Sequence, residues 1–215
     1  MENAGPFMIA LTALLAVPAF IFWAGGKASA KARRNGEALA ARLGLGFEPK
    51  RPALGWFHAP PRGSGTIRGK SVEFYTYSTG SGKARTQWAA ITVKPTAAGQ
   101  LSFKLSRQNF ATRVSELFGA KEIQVGDAGF DQRWFVQTNQ PDFFRAALLP
   151  ELRAKLDVLE AQGLTGDLML KDGVVQYRER GSFYDEALCV RIAAMAEVGC
   201  DFADIAEVWA EHPSA

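Results

Sequence analysis

The sequence predicts an α+β protein: one N-terminal transmembrane helix followed by a soluble domain with a mainly antiparallel sheet and flanking helices. Three observations predict it. An uncharged run, PFMIALTALLAVPAFIFWAGG, fills 6–26 and is followed by Lys27, Lys31, Arg33 and Arg34. Strand-like segments separated by short Gly-containing turns dominate 66–137. Helical periodicity takes over after Pro141 and again after Ser182, with a hairpin signal between them.

The first segment is long enough to span a bilayer, because about twenty helical residues at about 1.5 Å each match a hydrocarbon core about 30 Å thick. Phe7, Ile9, Leu11, Leu14, Leu15, Val17, Phe20, Ile21 and Phe22 favour insertion, by about 0.3–0.6 kcal/mol each. Trp23 falls where an amphipathic ring meets the headgroups, and Pro18 is tolerated within lipid with a kink. A cleaved signal peptide is the rival reading, with Ala28-Ser29-Ala30 as its site. It wants a basic start and a shorter apolar core, whereas this chain starts with Glu2 and has no early cation. A buried core helix is the other rival, and such helices are usually shorter. The flanking cations Lys27, Lys31, Arg33 and Arg34 all follow the span. The positive-inside rule therefore puts 1–5 outside and the large domain in the cytoplasm, the topology of a single-pass inner-membrane protein.

Charge is distributed unevenly. From Lys27 to Lys70 ten Lys/Arg face Glu37 and Glu48, whereas from Ser71 onward fifteen face nineteen acids, so the basic part adjoins the span. That segment fits anionic lipid headgroups, at about 1 kcal/mol per cation, or else it only sets topology. It lacks interleaved stacking aromatics, which argues against nucleic acid as a partner. Residues 27–46 read as a basic juxtamembrane helix fraying at Gly36 and ending near Gly44 or Gly46. Residues 47–65, with four prolines and three glycines, read as a connector that Trp56 and Phe57 pin to the domain at 66–215.

Within the domain, Thr66–Thr79 is a strand-rich segment with a turn at Arg68-Gly69-Lys70. Gly80-Ser81-Gly82 leads into a strand over Thr86–Lys94. Leu101, Phe103 and Leu105 alternate with Ser102, Lys104 and Ser106, the pattern of a strand with one dry face. Phe110–Phe118 reads as a short helix and Phe130–Gln137 as a strand. Pro141 and Pro150 begin helices that Gly163 closes, with Leu148, Leu152, Leu156 and Leu159 on one face. Leu168–Arg178 is a hairpin about Asp172-Gly173. The last helix starts at Ser182 with Leu188, Ile192 and Met195 as its stripe, and Asp201 caps a final turn carrying Phe202, Ile205 and Trp209.

Motifs for chemistry are scarce. Gly80-Ser81-Gly82-Lys83 has Tyr77 where a phosphate loop needs Gly and Ala84 where it needs Ser or Thr, so it reads as a hairpin turn; Lys83 and Arg85 there suit an acidic partner or a headgroup. Asp127 and Asp131 lie in GDAGFD, whose composition suits a tight turn better than a cation loop. His58 and His212 have no metal-ligand neighbours, and Cys189 and Cys200 read as buried thiols. No cofactor, metal or catalytic residue is assigned, and the chain reads as a non-enzyme.

The stretch GDAGFDQRWFVQTNQPDFFRAALLPELR, together with the preceding TYSTGSGKART, resembles segments of uncharacterised bacterial membrane-anchored domains. That family carries no established activity, so the resemblance implies one tethered domain of bacterial type and transfers no site residue. The reading is a membrane-anchored interaction domain with a lipid surface or a protein as partner. The alternatives are a membrane-associated enzyme, a small-ligand carrier, or a structural subunit of a membrane complex.

Overall fold

A computed structural model describes residues 4–48, 59–108 and 121–212, without the side chains of 4–19, 21, 22 and 121. Helix α1 runs unbroken from Ala4 to Leu43, so the fraying expected at Gly36 does not occur. Its length is about 60 Å at the usual rise. Alanine, the best helix former, recurs through the second half and carries the helix across Gly36. Gly36 is there for space: a Cβ would collide with Pro61 and come within 3.3 Å of the Phe47 ring. The helix closes in a Schellman motif at Gly44, where φ is +66°. The Gly44 amide donates to Ala41 O at 3.2 Å and the Leu45 amide to Ala40 O at 2.9 Å.

Among the described residues nine strands form a single sheet. They are β1 (Gly46–Phe47), β2 (Gly63–Ile67), β3 (Lys70–Thr79), β4 (Thr86–Lys94), β5 (Phe103–Arg107), β6 (Lys121–Ile123), β7 (Trp134–Thr138), β8 (Asp167–Lys171) and β9 (Val174–Arg180). Their order is β1-β2-β3-β4-β9-β8-β5-β7-β6, and every pairing is antiparallel. Both tight hairpins bend through two residues of positive φ, Arg68-Gly69 and Asp172-Gly173, the geometry that matches strand twist. The Pro/Gly-rich connector is partly sheet: its first residue, Phe47, belongs to β1, and its last three begin β2.

The remaining helices are α2 (Ala128–Arg133), α3 (Pro141–Ala147), α4 (Pro150–Ala161) and α5 (Glu186–Glu211). The strand expected over Phe130–Gln137 is half helix. Asp127 accepts hydrogen bonds from the Gly129 and Phe130 amides and starts α2, leaving only Trp134 onward for β7. Helix α5 begins at an Asp185 cap, not at Ser182, and continues past Asp201 without a break. Gly199 lies inside it against β4, where a Cβ would be 2.9 Å from Val93 Cγ2.

Phe74, Ile91, Tyr177, Leu168, Leu105 and Val136 share one face of the sheet by register, and all are buried in the core. Phe103 meets Phe144 of α3 and Phe202 of α5 with ring centroids 4.8 and 5.0 Å apart. Leu148, Leu152, Leu156 and Leu159 are buried in this core, which leaves Leu149 and Val158 on the exposed side of that region. Strand β5 is dry on both faces, against expectation, because it lies inside the sheet between β8 and β7, with Lys104 and Ser106 buried as well. Trp56, Phe57, His58 and the helix expected at Phe110–Phe118 lie outside the described residues.

Candidate functional site

Helix α1 does not end its work at the apolar segment; its second half is part of the domain. Leu39 and Ala40 are buried in the core. Asn35 Nδ2 donates to the carbonyls of Phe183 and Tyr184 at 2.8 and 3.2 Å. Lys31 Nζ lies 3.0 Å from Glu186 Oε1 and 4.7 Å from the centroid of the Tyr184 ring. The hydrogen bond to Glu186 holds the Lys31 ammonium above its ordinary pKa. Asn35 and Lys31, one helical turn apart, thus join α1 to the turn that leads into α5 and to its first residue.

The four flanking cations are not equivalent. Lys27 sits 4.0 Å over the Trp23 ring, a cation–π contact at the end of the expected span. Lys31 is committed to Glu186, Arg34 is exposed and Arg33 is half-buried. Phe20 and Trp23 are 65% and 54% exposed, with rings 5.9 Å apart. The side chains of Phe7, Ile9, Leu11, Leu14, Leu15, Val17, Ile21 and Phe22 lie outside the described residues. Among the described residues no helix is long and apolar enough to cross a membrane.

Beneath this junction lies a buried ionic cluster. Glu179, 2% exposed, accepts from Arg191 Nη2 at 2.5 Å and Nε at 3.1 Å, from Tyr177 OH at 2.7 Å and from Thr165 Oγ1 at 3.2 Å. Burial and the neighbouring carboxylate push the Tyr177 hydroxyl far above its ordinary pKa, so it stays a donor. Every partner of the carboxylate is supplied, which makes the cluster a lock between β9 and α5 with no vacant acid–base position.

A cleft of about 210 Å³ runs between α1 and the sheet, lined by Ala28, Ser29 and Ala32 on the helix and by Pro60, Thr76 and Gln87 opposite. A larger, more polar cleft of about 540 Å³ adjoins it around Arg62, Glu73, Tyr75 and Thr92. Arg62 Nε and Glu73 Oε1 bridge it at 2.5 Å. The sheet face away from the core carries Tyr75, bonded to Gln176 at 2.8 Å, and Trp88, with Arg178 and Arg180 at 5.0 and 5.5 Å from its ring. Sequence reasoning passed over these residues and over the Glu179–Arg191 pair. Alternation in VVQYRER carried the signal, since Val175, Tyr177 and Glu179 point one way and Gln176, Arg178 and Arg180 the other.

The acids singled out from sequence serve local structure. Asp127 caps α2 and meets Arg153, while Asp131 accepts from the Val125 and Gly126 amides at 2.9 and 3.1 Å. Arg133 is paired with Asp157 at 2.6 Å. Among the described residues no group of three metal-ligating side chains assembles. Cys189 and Cys200 are free, on one helix; Cys200 is buried as expected but Cys189 is only half-buried, and desolvation pushes both thiols up to about 11. Gly82–Ala84 forms a 3-10 turn between β3 and β4, which agrees with a hairpin connection instead of a phosphate loop.

Neither a family model nor a curated protein matches the chain. Its fold is similar to that in the crystal structure of the mycobacterial trehalose monomycolate transport factor A, TtfA, with a TM-score of 0.53 and 12% identity. The match covers 82% of this chain and 95% of that one.

Proposed function

We propose that this is a single-pass inner-membrane protein that holds a cytoplasmic α+β domain beside the bilayer as a docking platform for another membrane component. The observation that carries the proposal is the continuity of α1: one helix leads from the apolar segment into the domain core at Leu39 and Ala40. A flexible tether raises local concentration only, whereas a helix bonded through Asn35 and Lys31 also sets the domain's orientation. Lys27, Arg33 and Arg34 supply cations for anionic headgroups at its base. The resemblance to bacterial membrane-anchored domains supports this reading. So does the similarity of fold to a protein named as a transport factor.

Leu14→Arg tests the span. A central arginine costs about 2.5–3.5 kcal/mol of insertion. The substituted chain is expected to leave the membrane fraction, and unchanged membrane fractionation would count against the span. Neutralising Lys27, Lys31, Arg33 and Arg34 together is expected to weaken orientation, read as altered protease accessibility of the domain in spheroplasts.

A further inference from the structure

The β3–β4 hairpin is registered against α1 at two heights. At the lower, a Cβ on Gly65, which pairs with Val72, would lie 3.0 Å from Leu45 Cδ2, just past the end of α1. At the upper, Gly36 packs on Pro61, which the same register puts opposite Thr76, and two turns farther along α1 Ala28 and Ser29 share a cleft with Gln87, the partner of Ser78. Moving along α1 toward its N-terminus is therefore moving along β3 toward its C-terminus. Four further residues, the last three of β3 and Gly80, carry the chain about 13 Å beyond Thr76. The same distance along α1, at about 1.5 Å per residue, runs from Gly36 to Lys27. The hairpin tip thus stands at the level where the expected span gives way to Trp23 and Lys27.

The chemistry of that tip suits the same level. Every residue from Ser78 to Arg85 is exposed, and the segment holds Lys83 and Arg85 with no acid. Neither cation has an ion pair among the described residues. Arg180, exposed at the edge of the Trp88 stack, extends the basic surface. The acids nearest this end are already occupied: Glu186 by Lys31, Glu179 by Arg191, and Asp185 by the α5 cap. A loop with no apolar side chain between Ser78 and Lys83 has nothing to insert into hydrocarbon, but it can rest its cations on phosphate-bearing headgroups.

We propose that the β3–β4 tip is a second membrane contact, an electrostatic foot in which Lys83 and Arg85 sit on the anionic surface of the bilayer that α1 enters. This rests on the anchoring proposed above. With α1 it gives the domain two points of support, which restricts rotation about the helix axis. Two such cations near an anionic leaflet favour contact by about thirtyfold before screening.

The test is hydrogen exchange on the full chain in nanodiscs of phosphatidylcholine alone and of phosphatidylcholine with phosphatidylglycerol. Amides of 78–87 are expected to exchange about fivefold or more slowly in the anionic discs. The difference is expected to vanish on raising salt and in the K83E/R85E variant, while α5 exchange stays unchanged as the control for folding. Equal exchange of 78–87 in the two discs overturns the proposal. So does slowing that is insensitive to K83E/R85E, which indicates a contact of another kind. A chain that fails to enter either disc refutes the anchoring reading instead, so the two failures are distinct.

Discussion

Replacing Glu179 with alanine is expected to be among the most damaging changes in the domain. The carboxylate is 2% exposed and serves three side chains, so its loss leaves the Arg191 guanidinium, itself 13% exposed, without a counter-charge. The hydroxyls of Tyr177 and Thr165 lose their acceptor as well. Breaking a buried pair from one side costs about 3–5 kcal/mol. At about 2–4 °C per kcal/mol for a domain of this size, the melting temperature falls by roughly 6–20 °C. Arg191→Met should cost a similar amount. The double variant, with Glu179→Leu and Arg191→Met, removes both charges and should be more stable than either single change, because no charge is stranded. Thermal unfolding in detergent, followed by tryptophan fluorescence, gives all three values. A loss below about 2 °C for Glu179→Ala, or a double variant whose losses simply add, would refute the lock between β9 and α5.

Other expectations follow from the same contacts. Gly36→Ala gains helix propensity of about 1 kcal/mol but forces a Cβ into Pro61; a net loss of stability is expected, and a more stable variant would mean that α1 and the connector are not in contact. Burial pushes the Glu207 carboxyl up, but hydrogen bonds from Lys70 and the Thr96 amide outweigh it and hold the group below its ordinary value of 4.5. Its contribution is therefore present above that pH and lost as pH falls through the lowered value. Glu207→Ala should flatten the acid limb of the stability–pH curve, and an unchanged limb would exclude the pair. Cys189 and Cys200, with thiols pushed up to about 11, should react slowly with maleimide at neutral pH until the domain unfolds; rapid labelling of both in the folded chain would contradict the burial of Cys200 and the raised thiol of Cys189.

Local chemistry was legible in the sequence where it is decided locally. Asp172-Gly173 and Arg68-Gly69 announce their hairpins because left-handed backbone is needed at both positions and few residues adopt it. The aromatic run around Trp134 reads as a strand from its composition, yet the Asp127 cap commits Ala128–Arg133 to helix first. Gly199, inside α5, is a point of close approach to Val93, a fact set by a strand about a hundred residues earlier. Strand β2 hides in a Gly-rich connector because its pairing with β3, not its own side chains, makes it a strand. The docking of α1 rests on Asn35, one polar residue in an alanine-rich helix, and on carbonyls 148 and 149 positions away. Long-range partners of that kind leave no local pattern to read.

Anchoring requires α1 to remain in lipid with the domain attached to it. Alkaline carbonate extraction of membranes carrying the full chain tests this most directly. The intact polypeptide is expected in the high-speed pellet, resistant to carbonate and released only by detergent. Full-length chain in the supernatant, or a mature form lacking the residues before Lys27, would contradict it.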